Sequence, residues 1–145
     1  MIAVSDAIDL STVALTPATR LDAASLRLLW VDDWYDGPLQ AMVARGDERL
    51  LLVIHDRAVP ATDEPWRWCV ARLTPAALAA AEAAHDLFAF HVGERWCSHL
   101  APHRAHVGAP SPDRFYALQA TWPPLTIADL DVIGWIDEPP APARR

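Results

Sequence analysis

A chain of 145 residues has the length of one domain and can bury about 68–70% of its unfolded surface, so neither a disulfide framework nor a structural metal is needed to hold it together. Of the 52% of residues that are hydrophobic, 27 are alanine, and no stretch reaches the roughly 18–20 uninterrupted apolar residues that a bilayer span requires; the same composition excludes disordered and collagen-like chains. The formal charge of −7 comes from 19 acids against 12 bases, every one of them arginine, and a field of that sign repels phosphate backbones, which counts against nucleic acid as a partner.

Residues 1–25 are weakly patterned, with a short helix expected over Ala18–Ala24. Met1–Ser11 carries Asp6 and Asp9 and lacks the basic start and apolar centre of a secretory signal, so the expected location is the cytoplasm. From Leu26 the pattern sharpens. Leu26, Leu28 and Trp30 alternate with Arg27, Leu29 and Val31, mostly apolar on both sides, which predicts a strand covered on two faces over Leu26–Asp32. Asp36-Gly37-Pro38 then turns the chain. Leu39–Arg45 and Arg49–His55 form a hairpin about Gly46-Asp47, its second strand carrying the buried run Leu50–Ile54. Residues 56–65 read as a loop, and Trp66–Arg72 as a strand with Trp66, Trp68 and Val70 on one face and Arg67, Cys69 and Ala71 on the other.

Thr74-Pro75 is a helix start, because a threonine hydroxyl can accept from the free N–H groups and proline needs no partner in the first turn. The expected helix is Pro75–His85, with a thin stripe of Leu78, Ala81 and Ala84 or His85 that lets it lie close to a sheet. Further strands are expected at Leu87–Val92, at Phe115–Thr121 and at Asp131–Ile136, before a Pro-rich tail over residues 138–145. Together they define one α+β domain over residues 26–137. Its mostly antiparallel, strongly curved sheet packs on one main helix, with a small barrel as the alternative architecture.

Five of the six histidines fall between His85 and His106, and Cys97-x-His99-x3-His103-x2-His106 is a run of nitrogen and sulfur donors suited to zinc. The same run also reads as polar loop histidines beside a Cys97 that fills a core gap. Asp32, Asp33 and Asp36, with Trp34 and Tyr35, gather carboxylates that could serve a general acid or a hard cation, although turn chemistry accounts for Asp36-Gly37-Pro38 without any function. Cys69 and Cys97 lack Cys-x-x-Cys spacing and are expected as free thiols. There is no Gly-x-Ser-x-Gly elbow and no Gly-rich phosphate loop. Of the seven tryptophans, Trp30, Trp68 and Trp122 sit inside strand patterns and are expected in the core. Trp34, Trp66 and Trp96 flank loops and, with Tyr35 and Asp36, make the expected recognition surface.

Trp34-Tyr35-Asp36-Gly37-Pro38-Leu39, the helix start Leu73-Thr74-Pro75 and the segment Val132-Ile133-Gly134-Trp135 give Leu26–Ile136 a pattern that resembles a family of small bacterial proteins with no known activity. The resemblance implies one domain and transfers no catalytic residue. The expected function is a non-catalytic protein-interaction domain, an immunity-like or accessory binding protein that needs no cofactor. The alternative is a metal-binding domain or metal-dependent enzyme that holds zinc through Cys97, His99, His103 and His106.

Overall fold

Gly46 takes the left-handed backbone, φ 60°, that favoured two-residue hairpin turns demand and that only glycine adopts without cost. Around it the predicted hairpin forms, β3 (Pro38–Arg45) against β4 (Glu48–Ile54), in register from Arg45 opposite Glu48 to Gln40 opposite Val53. The computed structural model describes residues 19–34, 38–55, 67–93 and 110–141. The remaining elements are β1 (Thr19–Arg20), β2 (Arg27–Trp34), β5 (Trp68–Leu73), α1 (Pro75–His91), α2 (Pro112–Gln119) and β6 (Leu130–Ile136). The strands form one sheet in the order β1-β6-β5-β4-β3-β2, antiparallel except for the parallel pair β1 and β6. The α+β class with a main helix is as expected.

The sheet is curled. Its two edge strands, β1 and β2, are joined by residues 21–26, which include a 3-10 turn at Ala23–Ser25. Six strands laid flat would hold those edges about 24 Å apart at the usual spacing of about 4.8 Å, more than such a connection reaches. The far end of the chain spans the same gap, for the Leu28 N–H on β2 donates to the Ala141 carbonyl at 3.0 Å. Pro140 is buried and Ala141 is bonded, so the Pro-rich tail is in part a docked segment. Among the described residues the strands do not close into a barrel.

Curling gives the sheet two unlike faces. The concave face gathers Leu28, Ala41, Val43, Leu50, Leu52, Ile54, Trp68, Val70 and Ile136 with Ala23 and Leu26 of the edge-to-edge connection. The convex face presents Trp30, Met42, Leu51, Val53 and Cys69 to α1 through Ala77 and Ala81. Both faces of β4 are buried, which is why Leu50–Ile54 is an unbroken apolar run. The alanines of α1 let the helix lie close to the sheet, and Arg49 of β4 meets Glu82 of α1 at 3.0 Å.

Three sequence expectations are corrected. The residues expected as a strand at Leu87–Val92 continue α1 to His91 and its cap, Val92, and the helix ends where Gly93, at φ 137°, donates its N–H to the Phe88 carbonyl at 3.1 Å. The residues expected as a strand at Phe115–Thr121 form most of α2 and its end, started by Ser111, whose Oγ accepts from the Arg114 N–H at 3.2 Å, and by Pro112 in the first turn. In both segments the aromatic residues that predict a strand are drawn into helix–helix packing, which outweighs the propensity. The expected helix at Ala18–Ala24 is strand at Thr19–Arg20 and a 3-10 turn from Ala23. Among the described residues, no helix is long and apolar enough to cross a membrane.

Candidate functional site

Two irregularities in β2 build the site. Leu28 pairs with Val43 but Trp30 with Met42, so Leu29 is an extra residue on β2, and Leu28 and Trp30 point to opposite faces of the sheet. Val31 then pairs with Ala41 but Asp33 with Gln40, which makes Asp32 a second extra residue. Bulges of this kind re-aim side chains and recur beside binding sites. Here the first sends Trp30 to the convex face under α1, and Asp32 follows at the edge of that face.

Trp30 and Asp32 are joined directly, the indole N–H donating to Asp32 Oδ1 at 3.1 Å. His85 of α1 lies on the Trp30 ring, centroids 4.1 Å apart and planes inclined by 3°. From there the aromatic residues continue outwards. Phe88 is 6.5 Å from His85, Phe115 of α2 meets Phe88 edge-on at 5.4 Å, and Trp122 meets Phe115 at 5.9 Å, distances typical of favourable aromatic pairs. A second joint holds the two helices together, the Ser111 N–H at the start of α2 donating to His91 Nδ1 near the end of α1 at 3.0 Å. That bond fixes His91 as an acceptor at Nδ1 and seats α2 over the C-terminal half of α1.

Between the β2 edge and the two helices lies a cleft of about 260 Å³, lined by Val31, Asp32, Ala84, His85, Phe88, Phe115, Tyr116 and Gln119. Its lining is mostly apolar and aromatic with Asp32, His85 and Gln119 as polar members, and Tyr116 is 51% exposed beside a Phe115 that is 2% exposed. Leu118 of α2 is also exposed. An apolar cavity with a few convergent polar groups is the form that binding sites take.

Of the tryptophans expected in the core, Trp30 and Trp68 are buried and Trp122 is half-buried. The expected recognition residues Tyr35, Asp36, Trp66 and Trp96 lie outside the described residues, and of Trp34 only the backbone is described, at the end of β2. Cys97, His99, His103 and His106 lie outside them as well. Among the described residues, no three His, Cys, Asp or Glu side chains are grouped to hold a metal ion, and His85 and His91, the described members of the wider histidine cluster, are packed into the helix joints. Of the aspartate cluster, Asp32 lines the cleft. Sequence reasoning missed Phe88, Phe115, Tyr116 and Gln119 because it placed their segments in strands. The signal that would have found three of them is Ser111-Pro112-Asp113, the same capping chemistry that Thr74-Pro75 shows at α1.

Compared with protein-family models, with curated proteins and with solved structures, the chain matches none. The cleft therefore carries the functional reading on its own geometry.

Proposed function

We propose that this chain is a non-catalytic protein-interaction domain and that the cleft between β2, α1 and α2 is its recognition site. The observation that carries the reading is the exposed aromatic side chain of Tyr116 on α2, lining a mostly apolar cleft that also includes Asp32. Exposed aromatic anchors next to a pocket are what interface hot spots are made of. The titratable groups of the cleft support binding more than turnover: Asp32 is bonded to Trp30, and His85 is stacked on it. The Cys69 thiol is free, which supports a reducing, cytoplasmic setting.

Site-specific photo-crosslinking in cells tests the proposal. A benzophenone amino acid replacing Tyr116 should give one discrete protein adduct on irradiation, and the same probe replacing Ala76, exposed at the opposite end of α1, should give none. The reading fails if Tyr116 yields no adduct or if both positions yield the same ones.

A further inference from the structure

We propose that the cleft receives a single tyrosine side chain from the partner polypeptide, its ring set among Phe88, Phe115 and Tyr116 and its hydroxyl at the Gln119 amide. This rests on the binding reading above and goes beyond it by naming the occupant. Size is the first ground. The cleft holds about 260 Å³, below the ~300–1,000 Å³ of sites that enclose whole small ligands, so it suits one side chain better than a cofactor or metabolite.

The rings are the second. Half of the lining residues carry one, His85, Phe88, Phe115 and Tyr116. Phe88 is half-buried and Tyr116 exposed, so both keep ring surface that the protein's own packing leaves uncovered. The rings already there meet one another stacked or edge-on, with centroids 5.3, 5.4 and 6.5 Å apart. A ring entering from a partner joins that arrangement on the same terms, and such pairs add to what the burial of area gives. Tyrosine delivers its area on a side chain with two χ angles to immobilise, and it is enriched among interface hot spots.

The polar members select among the aromatic side chains. Asp32 is engaged within the protein, the Trp30 indole among its partners, and a neutral occupant makes no demand on it. The carboxylate and the formal net charge of −7 disfavour an anion. Gln119 is half-buried at the end of α2, and among the described residues none hydrogen-bonds its side-chain amide. A purely apolar ring laid over that amide would strip its water and return nothing, which counts against phenylalanine. A phenol hydroxyl both donates and accepts, so it meets the amide at its carbonyl or at its NH2, whereas an indole N–H can only donate.

The test is an NMR titration of the full chain with three blocked amino acids: N-acetyl-tyrosine methylamide and its phenylalanine and leucine counterparts. Tyrosine should shift the signals of Phe88, Tyr116 and Gln119 progressively, with phenylalanine about fivefold weaker, the loss expected of one neutral hydrogen bond, and leucine weaker still. Gln119→Leu removes the amide at a position outside the core and should bring tyrosine down to the level of phenylalanine. Tyr116→Ala, at an exposed position, should weaken both ring probes several-fold. Leucine or phenylalanine binding as well as tyrosine, a tyrosine preference that survives Gln119→Leu, or an unaffected Tyr116→Ala overturns the tyrosine assignment while leaving the cleft a binding site. If none of the three probes moves the cleft signals, the assignment falls, and the crosslink at Tyr116 judges the recognition site separately.

Discussion

The imidazole of His85 lies parallel to the indole of Trp30, with ring centroids 4.1 Å apart. The pair joins β2 to α1 at the point where β2 departs from regular pairing, so it depends on the bulge at Leu29 and in turn positions Asp32 through the indole N–H. Trp30 is 2% exposed, and its replacement by alanine removes a large buried ring. Trp30→Ala is expected to lose about 3–5 kcal/mol, a large share of the roughly 5–15 kcal/mol that holds a domain folded. Urea unfolding checks it, and a loss below about 1 kcal/mol, the scale of an ordinary surface change, would contradict the packing described.

Gly134 is where the parallel strand β1 comes closest to β6. Thr19 pairs with Gly134, and a Cβ at that position would meet the Thr19 carbonyl oxygen and come within 2.6 Å of Leu21 Cγ. Gly134→Ala should therefore cost about 1–3 kcal/mol through forced displacement of the backbone. Gly46→Ala makes the contrast: a Cβ there meets nothing within 4 Å but the backbone has φ 60°, so its cost is conformational, about 1 kcal/mol. Hydrogen exchange separates the two. Gly134→Ala should speed exchange of the Leu21 amide, which donates to the Trp135 carbonyl at 2.8 Å, and Gly46→Ala should leave that amide's local protection intact. Equal effects at Leu21 would count against the close approach.

Most strands are legible from local pattern, because burial on two faces writes itself into Leu50–Ile54 and alternation into Trp68–Ala71, while Gly46 and Thr74-Pro75 mark the breaks. The bulges are not. Simple alternation puts Leu28 and Trp30 on one face, and only the pairing of β2 with β3 decides that an extra residue at Leu29 separates them. The helical state of Phe88, Phe90, Phe115 and Tyr116 is hidden for a related reason. Their intrinsic preference favours strands, and the free energy that overrides it comes from packing between α1 and α2, partners distant in sequence. Because the cleft exists only once α2 is seated on α1, it was beyond the reach of local pattern. Asp32 and His85 are the polar members of its lining that local pattern does single out, one in an aspartate cluster and the other in a histidine cluster.

Cys69 sits on β5 beneath α1, and burial pushes its thiol up to about 12. The thiolate is the reacting form, so at pH 8 its fraction is on the order of 10⁻⁴. In a Cys97→Ser variant, where Cys69 is the remaining cysteine of the two in the chain, a disulfide reagent should release no equivalent of thiol product from folded protein and one in guanidinium chloride. Rapid reaction of the folded variant would show that β5 is more accessible than the sheet packing requires.

Glu48 is held by arginines from two neighbouring strands. Its Oε2 accepts from Arg72 Nε on β5 at 2.9 Å and its Oε1 from Arg45 on β3 at 3.0 Å, fastening three strands at one end of the sheet. The hydrogen bond from Arg72 has the largest effect on the Glu48 carboxyl and desolvation, which opposes it, the next; the bond from Arg45 and the two positive charges join Arg72 in holding the carboxyl below its ordinary range. A carboxyl that is more acidic folded than unfolded adds stability above its unfolded pKa of about 4.3 and loses that contribution as pH falls through the folded value. Wild type should thus lose more stability than Glu48→Gln between pH 5 and about pH 3, and the two curves should converge at the acid end. Because the group is exposed, the difference should be small and should shrink in 1 M salt, where the screening length is about 3 Å. Urea unfolding at stepped pH, with and without salt, reads it out. Parallel curves at low salt would mean that the two arginines hold Glu48 no better folded than unfolded, and that the three strands are fastened there by backbone pairing alone.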